Sequence, residues 1–207
     1  MVLFKAIISL FILSFSLTSA YTAIEITSNI YLGWYFPSTT TIQFYLSVST
    51  SKLSESSYGY VGLGFKSSGS ATDMVGADCA LVALSQKTIE SVQCVADAYP
   101  ASDTFSLSGF TSYTNGTFTV YQWSRALSNG GTSNHMTLVS GTEYKLIYSH
   151  GQYTTQPIQH TSEGGTTLKL TYDTVAPPAA NSGGDGNPTD SSSAIIGIGI
   201  VTLLMVN

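Results

Sequence analysis

The sequence predicts an all-β protein, a single antiparallel sandwich of the immunoglobulin-like kind. Three observations lead there. Apolar residues recur at every second position in short runs, and clusters of glycine with asparagine or glutamate separate those runs. Charged residues make up only 9% of the chain, while 13 of its residues are tyrosine. Several short strands with turn punctuation bury their apolar faces by stacking two sheets. No internal repeat and no second domain is visible.

The elements follow in order. Residues 1–20, MVLFKAIISLFILSFSLTSA, hold one lysine, an apolar run and small residues Ser19 and Ala20 at the end, the layout of a secretory signal cleaved after Ala20. The folded domain is expected over 21–175. Ile42, Phe44, Leu46 and Val48 alternate with Gln43, Tyr45 and Ser47, and Val61, Leu63 and Phe65 alternate with Gly62 and Gly64. The two glycines share one face, leaving room for close approach by another backbone or a flat ligand, or marking a strand crossing. Cys79 and Cys94 flank a hairpin centred on residues 85–88. That register sets the two opposite each other in a non-hydrogen-bonded pair, where a disulfide fits in an oxidising compartment. Asn115-Gly116-Thr117 is an N-glycosylation acceptor in a turn.

Phe118 and Val120 then oppose Thr119 and Tyr121, and Leu168, Leu170 and Tyr172 oppose Lys169 and Thr171. Asn129-Gly130-Gly131 and Glu163-Gly164-Gly165 are expected as turns. Residues 176–193 form a Pro/Gly/Ser-rich spacer. The apolar tail, 194–207, spans about 20 Å as a helix, short of the ~30 Å hydrocarbon core. Small residues Asn181, Ser182 and Gly183 lie upstream of it. The layout is that of a glycosylphosphatidylinositol attachment signal with a removed tail, a weak single-span anchor being the alternative. Either arrangement holds the protein at the outer face of the plasma membrane or in the lumen of the secretory route.

Composition narrows the function classes. Seven Lys/Arg stand against twelve Asp/Glu. With Lys5 in the leader and Asp185 and Asp190 in the spacer, six face ten within 21–181. A mildly acidic domain argues against nucleic acid as a partner. The chain has no Gly-x-Ser-x-Gly elbow, no His-Glu-x-x-His, no phosphate-cradling glycine loop and no dinucleotide fingerprint. Its two cysteines form neither a metal-binding pattern nor a site for covalent haem. The expectation is a protein that binds or transfers electrons rather than a catalyst.

Met74, in SATDMVGADCALVAL, sits in the polar part of its stretch, where a core side chain is out of place. A loop methionine has one strong use: its thioether, paired with an imidazole, completes the axial coordination of haem iron. The available histidines are His135, His150 and His160. His135 adjoins Met136, and in a strand the two face opposite ways, with Met136 toward the core and His135 toward the surface.

Four stretches together resemble the DOMON family, in its cytochrome branch of extracellular haem b proteins. YLGWYFPSTTTIQFYLSVST resembles the family's opening strands, and GYVGLGFKSSGSATDMVGADCALV its most recognisable block. FTVYQWSRAL resembles its Arg-containing strand, and YKLIYSHGQYTTQPIQHTSEGGTTLKL its closing block. The resemblance implies a DOMON-type sandwich binding haem b non-covalently, with Met74 as axial methionine. It implies His160 as axial histidine, because His160 precedes the glycines and last strand in TSEGGTTLKL. His150 is the alternative, standing in SHG where the family more often has an aromatic residue.

Lys66 and Arg125 are either partners for haem propionates or ordinary surface or structural cations. The implied role is one-electron transfer to a separate redox partner: a membrane cytochrome, a small reductant or a secreted redox protein. Haem-free members imply the alternative, a carbohydrate- or small-ligand-binding module, with Trp34 and Trp123 to stack on glycans.

Overall fold

Ten strands form two five-stranded antiparallel sheets in this computed structural model, which describes residues 22–70, 74–94, 107–131 and 135–171. The leader, the spacer, the attachment region at Asn181, Ser182 and Gly183, and the tail lie outside the described residues. The strands are β1 (Thr22–Thr27), β2 (Ile30–Ser38), β3 (Thr41–Ser49), β4 (Tyr60–Lys66), β5 (Asp78–Ala83), β6 (Thr88–Gln93), β7 (Leu107–Asn115), β8 (Phe118–Ala126), β9 (Glu143–Tyr153) and β10 (Pro157–Lys169). One short helix, α1 (Thr50–Leu53), follows β3. The first sheet runs β1-β2-β3-β8-β7 and the second β10-β9-β4-β5-β6. Among the described residues no helix is long and apolar enough to cross a membrane.

The alternation read in the sequence sets the core. Ile42, Phe44, Leu46 and Val48 from the first sheet meet Val61, Leu63, Phe65, Val82 and Leu146 from the second. Phe44 lies against Phe65 across the gap, ring centroids 5.5 Å apart. Leu168 and Leu170 join the core as expected, while Tyr172 lies outside the described residues. β8 runs in the opposite phase to the expected one. Tyr121 and Trp123 pack in the core, because they pair with the inward-facing Leu46 and Phe44. Trp34 and Trp123 are both core residues, 1% and 2% exposed, so neither is available to stack on a glycan.

Two further expectations are corrected. Glu163-Gly164-Gly165 is no turn; it runs inside β10, paired with Ser149, Tyr148 and Ile147. Gly164 is required there because a Cβ would collide with the Tyr148 ring of the neighbouring strand. The β5–β6 hairpin turns one residue earlier than expected. Ala83 pairs with Thr88 around residues 84–87, with Lys87 at φ 54°. Cys79 therefore pairs with Val92 rather than Cys94. Gly116, at φ 59°, turns the β7–β8 hairpin and places Asn115 at its tip, on the first sheet.

Candidate functional site

The second sheet carries a second apolar cluster on the face turned away from the core. β4 sends Val61, Leu63 and Phe65 inward, so Tyr60, Gly62 and Gly64 look outward. Register then places Ile147, Ser149 and Gly151 of β9 beside them on one flank and Cys79 and Leu81 of β5 on the other. Tyr60, Ala77, Cys79, Leu81, Val92, Cys94 and Ile147 form the cluster, and Met74 and Tyr153 pack against it.

Three glycines keep the middle of this face low. A Cβ at Gly62 would stand 2.9 Å from Ser149 Oγ, and one at Gly64 would stand 2.8 Å from Cys79 Sγ. At Gly151 a Cβ would come within 3.0 Å of both Tyr60 Cε1 and His160 Cα. The neighbouring side chains thus lie along the sheet instead of standing up from it.

Met74 is brought to one rim by a tight turn. The Ala77 N–H donates to the Met74 carbonyl at 2.9 Å, with Gly76 between them at φ 78°, the third position of a type II turn. Met74 is half-buried, and Val75 beside it is exposed.

His160 reaches the opposite rim through a bulge. Counting back from inward Leu168, every second residue leads to Ser162 and would put His160 inward as well. One extra residue between His160 and Ser162 shifts the register, and His160 pairs with Gly151 on the outer side. Its Nε2 lies 2.8 Å from Oε2 of Glu163, which pairs with outward Ser149. Tyr60 steadies this region: its hydroxyl donates to the Ile158 carbonyl at 3.2 Å, and burial pushes its pKa up, with a hydrogen bond to Ser149 opposing.

The other histidines go elsewhere. His150 pairs with Val61 and points to the opposite side of the sheet from Met74. It stacks on Tyr58 at 4.1 Å, with Nδ1 3.1 Å from the Ser57 carbonyl. His135 is buried, contrary to the surface position expected for it, because its Nδ1 sits 2.9 Å from Asp78 Oδ1. Met136 is half-buried against the core, as expected. The same Asp78 carboxylate accepts from Arg125 Nη1 at 2.8 Å and from the Met136 N–H at 2.9 Å. Arg125 is thus a buried structural cation. A cleft of about 300 Å³, lined by Lys66, Ser67, Ser68, Gly76, Asp78, His135 and Met136, opens beside this cluster.

Of the residues singled out in the sequence, Met74 and His160 border one face, with Cys79 and Cys94 in its apolar cluster. His150, His135 and Arg125 do not share that face. Tyr60, Ser149, Gly151 and Glu163 were not singled out. For Tyr60 the signal was available, since it lies two residues before Gly62 in the same alternation.

By donor type the residues suit haem iron, a thioether and an imidazole bordering one face with glycines between them. His160 Nε2 would exchange Glu163 for such a ligand.

No protein-family profile and no curated protein sequence matches the chain. Solved structures do match. One is the crystal structure of the cytochrome b domain of pyranose dehydrogenase from Coprinopsis cinerea, at 13% identity and TM-score 0.55, covering 74% of this chain and 85% of that one. Another is the cytochrome domain of Myriococcum thermophilum cellobiose dehydrogenase, at 15% identity and TM-score 0.47, covering 74% of this chain and 82% of that one. The first likeness shows the fold: this chain is an all-β sandwich built like that cytochrome b domain.

Proposed function

We propose that this chain is an extracellular b-type cytochrome domain of the DOMON kind. It holds haem b between Met74 and His160, passes single electrons to a separate redox partner, and is tethered to the outer face of the plasma membrane by a lipid. The observation that carries the reading is that Met74 and His160 both border one glycine-floored face, while the other two histidines point away from it. The fold shared with a cytochrome b domain supports it.

Haem bound there would supply a one-electron couple, and two protein axial ligands would leave the iron no open position for substrate. The chain's own residues do the positioning. The Gly76 turn presents the Met74 thioether, the β10 bulge presents the His160 imidazole, and Tyr60 ties the bulged segment to β4. Leu81, Ile147 and Tyr153 make that face apolar.

The test is an optical spectrum of the secreted protein with haem supplied, before and after dithionite. Sharp bands of a low-spin reduced haem are expected, lost in Met74→Ala and in His160→Ala. His150→Phe, which keeps a ring on Tyr58, should retain them. A folded wild-type protein that stays colourless with added haemin would rule the reading out.

A further inference from the structure

Cys79 and Cys94 lie at the Met74 end of the outer face, on neighbouring antiparallel strands. Cys79 pairs with Val92 on β6, and Cys94 follows the end of that strand beside Ala77, so the two are diagonal neighbours. Their Sγ atoms are 2.8 Å apart, inside the ~3.5–4.0 Å of ordinary packing contact, and both side chains are buried. Cys94 also holds the turn that carries Met74. Its carbonyl accepts from the Gly76 N–H at 2.6 Å, and its N–H donates to the Ala77 carbonyl at 3.4 Å.

We infer that Cys79 and Cys94 close a disulfide that clasps the Met74 turn to the end of β6. The bond stands on this geometry alone, whereas its bearing on a haem ligand rests on the function proposed above.

With a small disulfide such as oxidised glutathione as oxidant, the thiolate of either cysteine attacks one sulfur and expels the first glutathione thiolate. The other cysteine, giving up its proton, then attacks the protein sulfur of the mixed disulfide and expels the second. Two electrons and two protons leave the protein, and one oxidised glutathione becomes two reduced ones. The exchange belongs to folding, before the strand ends close over the sulfurs. Burial afterwards shields the bond from reductant.

The test refolds the full chain from denaturant in a buffer of reduced and oxidised glutathione. The expected product weighs less than the reduced chain by two hydrogen atoms, yields a non-reduced peptide joining Cys79 to Cys94, and resists iodoacetamide. Full alkylation of both cysteines after refolding would overturn the bond. For the clasp, the Gly76 and Ala77 amides should exchange with solvent about tenfold more slowly in the oxidised chain than in the reduced one. Equal exchange would overturn the clasp. Haemin added to the oxidised form separates this from the haem reading: a closed bond without a low-spin spectrum removes the cytochrome and leaves the clasp, and a spectrum with free thiols does the reverse.

Discussion

Asp78 buries a full negative charge because donors surround it: the guanidinium of Arg125, the ring of His135 and the backbone of Met136. Such a cluster is costly to break from one side. Asp78→Asn keeps the shape but leaves Arg125 buried without its opposite charge, and should destabilise the fold by about 3–5 kcal/mol. Urea unfolding monitored by tryptophan fluorescence would show the midpoint fall. Tyr60 acts differently, since it packs in the outer cluster and spends its hydroxyl on the Ile158 carbonyl. Tyr60→Phe should cost about 1 kcal/mol of stability. On the cytochrome reading it should also weaken haemin binding while leaving the low-spin bands in place. A haemin titration followed by absorbance separates that from loss of ligation, which would remove the bands.

Strand phase was legible where one face was plainly apolar, as in β3 and β4. It failed in β8, where Phe118 and Val120 on one side and Tyr121 and Trp123 on the other are both large enough to fill a core. Pairing with β3 decided the matter, and that is a non-local fact. Glu163-Gly164-Gly165 carries a turn's composition, yet Gly164 serves the Tyr148 ring across the strand. Gly164→Ala should therefore destabilise by about 1–3 kcal/mol, read as a lower thermal midpoint. The two axial candidates were legible as residue types in familiar surroundings. The outward aim of His160 was not, because it depends on one extra residue in β10. His135 was misplaced for a related reason: the carboxylate that draws it inside lies 57 positions away. The cysteine register slipped because Lys87 takes a left-handed conformation that lysine rarely adopts.

Across the whole molecule the two sheets divide the work, with the outer face of the second free of the first. Asn115 ends a hairpin of the first sheet, so a glycan there should leave ligand binding on the second unchanged. Asn115→Gln should remove the glycan's mass and leave a haemin titration where it was. Tyr121 links the layers from β8, its hydroxyl donating to the Leu84 carbonyl at 2.9 Å. Burial pushes its pKa up to about 12 from 10.0. The unfolded chain therefore loses this proton first, and the stabilisation is complete below about pH 10 and lost as pH rises toward 12. The loss is at most ~2 kcal/mol, and Tyr121→Phe should flatten that part of a stability-against-pH curve measured by denaturant unfolding. The rims of the candidate site belong to different parts of one sheet: His160 stands on the edge strand β10, and Met74 precedes β5, three strand positions away. Their separation is thus ruled by inter-strand spacings of about 4.8 Å and by the sheet's twist, neither of which is set by Met74 or His160 themselves. The sheet works as a caliper, and a substitution deep in the sandwich that changes its curvature would reset the jaws without touching either one.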